Sequence, residues 1–221
     1  MPSIITIDGP AGAGKSTVAK LLAKKIGFSY LDTGAMYRAL TLKALRGKVN
    51  LEEEDSLVAL AMDTKIDLED KPEGLLILLD GEDVSQEIRT PDVTNKTFYI
   101  ARAPKVREIM VHWQRDIGSK RNVVVEGRDT GTVVFPKASY KFFLDADLNE
   151  RSKRRLLELK SKGKEVNASS LTEELKERDD KDINRKVGPL KKADDALFID
   201  TTHLSIEEVV NTLHRHIKKD G

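Results

Sequence analysis

The chain has 221 residues, of which 39% are hydrophobic and 34% charged, and its formal net charge is +1. This composition is typical of a globular protein long enough for one α/β domain with a smaller insertion. The absence of cysteine excludes disulfides and thiolate metal sites, and the net charge argues against a strongly electrostatic nucleic-acid binder. No apolar run approaches the roughly 18 residues of a membrane span, and no secretory signal precedes the first predicted strand, so a cytoplasmic location without membrane contact is expected.

Short apolar runs alternate with helical patterns along the chain. Strands are predicted at residues 3–7, 28–31, 122–125, 140–144 and 197–200. Helices are predicted at residues 16–26, 34–45, 148–160, 171–184 and 205–217. Because the runs are almost continuously apolar and alternate with helices, they predict a five-stranded parallel sheet with helices on both faces.

One segment departs from this alternation. Residues 64–90 contain TKIDLE and LLILLDGEDVS around Lys71-Pro72-Glu73-Gly74, which predicts a small antiparallel hairpin or meander. Residues 51–92 carry a local charge of −11 and residues 151–192 one of +6. One interpretation is that both segments are solvated faces of the protein. The other is that the second segment, residues 151–192, is a cationic segment that closes over phosphates. The predicted organisation is a core at 1–49, 104–150 and 171–221, an inserted region at 50–103 and a short lid at 151–170, with a flexible connection at 161–170.

Residues 9–17 read GPAGAGKST and match the phosphate-binding pattern G-x-x-x-x-G-K-[ST], the P-loop. The motif follows a predicted strand and opens a predicted helix, so its backbone N–H groups and the helix N-terminus can bind phosphate. Lys15 is expected to reach the β- and γ-phosphates, and the Ser16 hydroxyl to bind Mg²⁺. The alternative is a glycine-rich turn that binds nothing. The residues predicted to contact ATP here are Gly9, Pro10, Ala11, Gly12, Ala13, Gly14, Lys15, Ser16 and Thr17.

The P-loop predicts that the fold is of the P-loop NTPase type. Other sequence signals narrow the class of P-loop protein. GTPases carry N-K-x-D, whereas the nearest string here is Asn95-Lys96-Thr97-Phe98. The apolar run of residues 123–125 is followed by Glu126-Gly127-Arg128-Asp129 rather than by a Walker B aspartate. A small chain with an early P-loop and many later arginines favours a kinase of small molecules.

Four further strings specify the acceptor: LDTGAMYR (31–38), PKVR (104–107), EGRDTGTVVFP (126–136) and RDDKDINR (178–185). With GPAGAGKST they resemble the bacterial cytidylate kinases, a family of nucleoside monophosphate kinases. The resemblance runs from Ile4 to about His214 and includes the acidic insert as the region that binds the monophosphate. It implies transfer of phosphate from ATP, with Mg²⁺, to CMP or dCMP in pyrimidine nucleotide supply, by a monomer. The alternatives are a kinase of UMP or shikimate, and a nucleotide-binding switch.

The resemblance also implies roles for single residues. Arg38 and Arg128 hold the CMP phosphate with help from the Thr33 hydroxyl, and Arg185 bridges ribose and phosphates. Asp129 accepts from the exocyclic amine of cytosine, and Arg107 donates to the ring. Arg178 and Asp182 bind the ribose. The catalytic residues are Lys15, Arg128, Arg178 and Arg185, and Arg154 of the lid contacts ATP.

Physical chemistry agrees with these residue types. Phosphoryl transfer between two nucleotides joins anionic groups, and arginine binds phosphate with a planar fork of donors. Arg178, Asp182 and Arg185 have the spacing i, i+4, i+7 of one helix face, although a solvated salt-bridge ladder has the same pattern. The alternative interpretation of Arg38 and Arg107 is that each is an ordinary charged residue on the surface of a helix.

One position departs from the family pattern. Phe98 stands where the family commonly has a serine that contacts cytosine. Either Thr97 or Tyr99 substitutes, or one hydrogen bond is missing.

Overall fold

The computed structural model describes residues 2–71, 74–161, 163 and 167–219. Pro72 and Glu73 of the predicted hairpin turn, and residues 162 and 164–166 of the predicted lid, lie outside the described residues. The chain divides into two compact units. The P-loop unit comprises Ser3–Phe28 and Val124–Gly221, and the second unit comprises Met1–Pro2 and Ser29–Val123.

The larger sheet has five parallel strands flanked by helices, which confirms the predicted fold. Its strands are β1 (Ile4–Asp8), β2 (Ser29–Asp32), β6 (Val123–Gly127), β7 (Tyr140–Asp145) and β8 (Leu197–Asp200), in the order β2-β6-β1-β7-β8. β1 pairs with β7, and β7 with β8, in parallel register. Ile5 and Ile7 of β1 are fully buried, as are Val123, Val124 and Val125 of β6. Burial on both faces explains why these strands are almost continuously apolar.

The helices are α1 (Lys15–Ile26), α2 (Thr33–Arg46), α3 (Glu54–Met62), α4 (Pro91–Arg102), α5 (Pro104–Lys120), α6 (Leu148–Ser161), α7 (Ala168–Asn184) and α8 (Ile206–Lys219). In the P-loop unit, α1 packs against α8 and α6 against α7. A short π-helical turn, Thr130–Val134, follows β6. Each helix of the described residues is too short or too polar to cross a membrane.

The second unit contains a smaller antiparallel sheet, as the sequence predicts. Its strands are β3 (Ile66–Lys71), β4 (Gly74–Leu79) and β5 (Glu82–Asp83), in the order β3-β4-β5. Leu79 pairs with Glu82 across a two-residue turn in which Asp80 and Gly81 have φ values of 51° and 89°. Such turns favour Asp-Gly because both residues take positive φ. The sheet packs on a core formed by Ala35, Ala39, Leu42, Ile77, Leu79, Val84, Ile88 and Val93.

Three helices of the second unit have no counterpart among the predicted elements: α3, α4 and α5. Both α4 and α5 begin with a proline, Pro91 and Pro104, at the first helical positions. Proline is favoured there because the N–H that it lacks has no partner inside the helix. In the P-loop unit, α7 begins at Ala168 rather than at residue 171, because Asn167 caps it by accepting from the Ser169 N–H.

Candidate active site

The predicted P-loop connects the end of β1 to the start of α1. Gly9 has φ of 146°, and a Cβ atom at this position would lie 1.9 Å from the Leu144 carbonyl oxygen. A side chain is therefore excluded at Gly9 both by its backbone conformation and by β7. Helix α1 begins at Lys15, so its N-terminal N–H groups point into the loop, where an anion can accept from them.

Lys15 and Ser16 follow the loop and have defined partners. Lys15 Nζ is buried and donates to the Pro10 carbonyl at 2.6 Å. Burial, together with the positive charge of Arg128, lowers the pKa of Lys15 from 10.5 to about 7. The Ser16 hydroxyl donates to Glu126 Oε2 at 2.8 Å. A buried amine and a hydroxyl–carboxylate pair thus lie at the start of α1.

An arginine–aspartate cluster, defined as Arg128, Asp129, Asp182 and Arg185, lies in the same unit. Arg128 Nε donates to Asp182 Oδ2 at 2.8 Å. Arg185 lies 3.6 Å from Asp129 and 3.8 Å from Asp182 between charged atoms. Burial raises the pKa of Asp182, but the charges of Arg128 and Arg185 outweigh it and hold that pKa below its usual value. The cluster therefore presents two guanidinium groups held by two carboxylates.

Helix α7 supplies part of this cluster, with one correction to the sequence reading. Arg178 and Asp182 lie on α7, but the helix ends at Asn184, and Arg185 is an extended residue just beyond it. The three residues therefore do not share one helix face. Arg185 nevertheless reaches the cluster, because its Nε donates to the Gly188 carbonyl and its side chain is buried. The charge of Arg178 acts on both Lys15 and Asp182, and it helps to lower the pKa of each.

Thr33 and Arg38 lie at the start of α2 in the second unit. Asp32 caps this helix by accepting from the Ala35 N–H at 2.8 Å, and its other oxygen accepts from Arg38 Nη2 at 3.0 Å. Thr33 is buried in the first turn. One carboxylate thus fixes both the helix N-terminus and the arginine predicted to bind phosphate.

Arg107 is a buried residue of α5, and its reading as a surface charge is wrong. Its side chain is 2% exposed, and Nη1 donates to the Ala101 carbonyl at 3.2 Å. Its guanidinium carbon lies 5.6 Å from the centre of the Tyr37 ring. Burying a guanidinium is costly unless its donors are bound, and the Ala101 carbonyl satisfies one of those of Arg107.

The segment around Phe98 forms part of α4. Phe98 and Tyr99 pack edge to face, and the Arg102 guanidinium lies over both rings. The Thr97 hydroxyl donates to the Val93 carbonyl at 2.7 Å and lies 3.4 Å from the Thr41 hydroxyl. Substitution by Thr97 or Tyr99 for the family serine stays a prediction.

Arg154, predicted to contact ATP, lies on α6. It donates to the Thr201 hydroxyl at 3.0 Å and to the Thr201 carbonyl at 2.6 Å. The Thr201 hydroxyl also lies 3.3 Å from the Ala13 carbonyl of the P-loop. Arg154 is therefore connected to the P-loop through the residue that follows β8.

Comparison with known proteins decides the family. The family model described as cytidylate kinase matches residues 5–219. The chain belongs to the cytidylate kinase family. It is 53% identical over 216 residues to the cytidylate kinase of Caldanaerobacter subterraneus subsp. tengcongensis, covering 98% of this chain and 95% of that protein. It is 50% identical over 209 residues to that of Bacillus thuringiensis, covering 95% and 93%.

The comparison with solved structures bears on the fold alone. An uncharacterized protein from Eubacterium ventriosum aligns over 99% of both chains with a TM-score of 0.54 at 13% identity. Membership of the cytidylate kinase family confirms the resemblance read from the five sequence strings. It identifies the chain as a phosphotransferase, and the nucleotide-binding switch is not favoured.

Several residues that organise this kinase site were not predicted from the sequence. Asp8, the last residue of β1, accepts from the Thr130 N–H and hydroxyl at 2.9 and 2.8 Å and from the Gly131 N–H at 2.7 Å. It thereby fixes the turn that follows Arg128 and Asp129. Glu126 was noted only as a departure from a Walker B aspartate, although it accepts from Ser16. The sequence signal that could have found Asp8 and Glu126 is their position at the ends of predicted core strands, where ligands bind in open α/β sheets.

Proposed function

We propose that this kinase transfers the γ-phosphoryl group of ATP to the phosphate of CMP or dCMP, giving ADP and CDP or dCDP. The observation that carries the proposal is the presence, in one unit of a cytidylate kinase family member, of a complete P-loop and the arginine–aspartate cluster. The P-loop suits a donor triphosphate, and the cluster suits an acceptor with a phosphate, a ribose and an amine-bearing base.

On the donor side, residues Gly9 to Thr17 surround the ATP phosphates. The phosphates accept from backbone N–H groups of this loop, except at Pro10, which has no N–H, and at Ala11, whose N–H is bound to Asp179. Lys15 leaves the Pro10 carbonyl and neutralises charge on the β- and γ-phosphates. Arg154 contacts ATP beside Thr201. The buried position of Lys15 supports this role, because a cation in a site poor in water interacts more strongly with developing charge.

Oxygen donors suitable for Mg²⁺ accompany the P-loop. The Ser16 hydroxyl and the Glu126 carboxylate lie 2.8 Å apart, and Mg²⁺ prefers hard oxygen ligands while keeping several waters. These two residues would hold the ion, Ser16 directly. When bound, Mg²⁺ neutralises phosphate charge. Groups of three or more His, Cys, Asp or Glu side chains that could hold a metal ion do not occur among the described residues.

On the acceptor side, Arg128 binds the CMP phosphate and Arg185 bridges phosphate and ribose. Asp182 and Arg178 bind the ribose hydroxyls, and Asp129 accepts from the cytosine amine. From the second unit, Thr33 and Arg38 contact the CMP phosphate, and Arg107 donates to the base. The acceptor phosphate is already nucleophilic, so Lys15, Arg128, Arg178 and Arg185 act by positioning and charge stabilisation, without a general base.

The remaining sequence predictions belong to the same proposal. The region of residues 50–103 binds the monophosphate, residues 151–170 form the lid, and the enzyme acts as a monomer on small molecules in the cytoplasm. Light scattering across a concentration series tests the monomer, since self-association would raise the apparent mass.

The decisive experiment is a coupled assay of ADP release with CMP, dCMP, UMP, AMP and shikimate as acceptors. We expect rapid, sustained turnover with CMP and dCMP, weak turnover with UMP and none above background with AMP or shikimate. Faster turnover with UMP or shikimate would contradict the acceptor assignment. A single burst without sustained turnover would indicate a switch.

A further inference from the structure

The peptide groups of one P-loop residue, Ala11, are held by two charged side chains from different helices. Arg151 of α6 donates from Nη1 to the Ala11 carbonyl at 3.0 Å. Asp179 of α7 accepts at Oδ1 from the Ala11 N–H at 3.3 Å. The two side chains also pair with each other, Arg151 Nη1 to Asp179 Oδ2. Arg151 Nε donates to the Ala146 carbonyl at 2.9 Å, which fixes the guanidinium plane.

This arrangement is buried, and stability alone is a weak reason for it. Arg151 is 8% exposed and Asp179 is 7% exposed. A buried ion pair pays a desolvation penalty that often cancels its attraction, so apolar residues of similar size can stabilise a fold equally well. Apolar residues, however, cannot bind the N–H and the carbonyl of Ala11, because they have no hydrogen-bonding groups.

Helix α7 extends this contact to the acceptor side. It carries Asp179 beside Arg178, and Asp182, the partner of Arg128, lies further along the same helix. The charge of Asp179 also acts on Arg128. One helix therefore contacts the P-loop backbone at one position and the arginine–aspartate cluster at another.

We propose that Arg151 and Asp179 are positioning residues that fix the P-loop to α7, so that donor phosphates keep one placement relative to Arg128 and Asp182. The proposal rests on the proposed function, in which these groups bind ATP and CMP. Phosphoryl transfer requires the attacking and leaving oxygens to be roughly in line, and a misplacement of about 1 Å can cost about 100-fold in rate. Arg151 is the first residue of the proposed lid, but its side chain is bound to Ala11 and Asp179, so neither positioning residue is assigned a contact with a nucleotide.

The test uses two conservative variants and one matched control. Asp179→Asn keeps the shape of the side chain, but its amide offers one oxygen where two donors, the Ala11 N–H and Arg151, require acceptors. Arg151→Lys keeps the charge but replaces the planar fork by a single ammonium. Glu177→Gln is the control, because Glu177 is an exposed carboxylate on the same helix, 3.7 Å from Lys181. The measurements are kcat, KM for ATP and CMP, and calorimetric binding of ATP alone, each below the unfolding transition.

For both conservative variants we expect kcat to fall by about tenfold or more and ATP binding to weaken several-fold. KM for CMP should stay within about twofold, as should all values of the control. Wild-type kcat and ATP affinity in Asp179→Asn and Arg151→Lys would overturn the proposal. A change confined to KM for CMP would also overturn it.

The double variant Arg151→Met/Asp179→Leu separates positioning from stability. Removing both charges leaves neither ion unpaired, so the double variant should be more stable than Asp179→Leu alone. We expect it to remain slow although it is folded. Recovery of kcat together with stability would overturn the proposal, and if the double variant does not fold, the conservative variants decide. Binding of ATP alone is measured without CMP. If the wild-type enzyme binds ATP but does not phosphorylate CMP, the proposed acceptor is wrong, whereas the positioning proposal can still be tested through ATP binding.

Discussion

Arg128 and Asp182 form an ion pair of 2.8 Å, although Arg128 directly follows β6 and Asp182 lies near the end of α7. Their side chains are 18% and 16% exposed. In the proposed function Arg128 binds the CMP phosphate and Asp182 the ribose. Because each already orders the other, less side-chain entropy is lost when the nucleotide binds.

Lys15→Ala is expected to abolish most phosphoryl transfer. The substitution removes the cation assigned to the β- and γ-phosphates, and we expect kcat to fall by about 100-fold or more. The fold should persist, because the only partner described for Nζ is the Pro10 carbonyl. Lys24→Ala, on the exposed side of the same helix, serves as the control. Near-normal turnover by folded Lys15→Ala would refute the role of the P-loop lysine.

The lowered pKa of Lys15 predicts a pH dependence of stability. Its pKa is about 7 in the folded protein, mainly because of burial, against 10.5 when unperturbed. Between these values the unfolded chain binds more protons, so the free energy of unfolding rises with pH, by about 1 kcal/mol per pH unit. Lys15→Met lacks this contribution. Urea unfolding of both proteins from pH about 7 to about 10 measures the difference, and parallel profiles would show that the pKa of Lys15 is not lowered.

Arg38→Ala is expected to impair CMP use selectively. We predict a rise in KM for CMP and a fall in kcat, because a misplaced acceptor phosphate loses orientation, while KM for ATP changes little. Arg46→Ala is a matched control on the same helix, since Arg46 pairs with the exposed carboxylates Glu82 and Glu87. If the KM for ATP changed and the KM for CMP did not, Arg38 would be assigned to the ATP site and not to the CMP phosphate.

Asp129→Asn is expected to narrow the preference for CMP over UMP. In the proposed function the carboxylate accepts from the cytosine amine, whereas uracil presents a carbonyl that it repels, so UMP should be tens to thousands-fold poorer in kcat/KM. Asparagine can donate and so tolerates uracil, while dCMP should still be used because Asp129 does not read the ribose. Competition assays with both nucleotides give the ratio, with exposed Asp180→Asn as the control. An unchanged ratio in Asp129→Asn would direct attention to Arg107 and residues 97–99.

Gly9→Ala tests the close approach of β7 to the P-loop. The added Cβ would lie 1.9 Å from the Leu144 carbonyl oxygen, so backbone must move. Gly27→Ala is the control, because Gly27 also has positive φ, 72°, but its Cβ would meet nothing within 4 Å. We expect the control to lose about 1–2 kcal/mol of unfolding free energy and Gly9→Ala clearly more. Equal losses in thermal unfolding would show that the steric contact is unimportant.

The strands and the P-loop were predictable because their signals are local. Buried parallel strands are apolar runs, and GPAGAGKST specifies its own turn and helix start. The helices α3, α4 and α5 were not predicted, although Pro91 and Pro104 are sequence signals for the start of α4 and α5.

The contacts within the candidate site were less predictable because they join distant parts of the chain. Ser16 and Glu126 are 110 positions apart, and Ala11 and Asp179 are 168 apart. No local pattern reports such a contact. Arg185 was placed on a helix face from the spacing i, i+4, i+7, although the helix predicted at residues 171–184 already ends before it, as α7 does at Asn184.

Asp8 has a consequence for how the enzyme responds to thermal motion. The residue after it opens the P-loop, and its own carboxylate binds the backbone of Thr130 and Gly131, directly after Arg128 and Asp129. A small displacement of β1 is therefore expected to carry the P-loop and the turn after Arg128 and Asp129 in the same direction. We therefore expect the separation between these two segments to fluctuate less than the position of either one, so that warming disturbs their alignment later than it loosens the surface of the molecule.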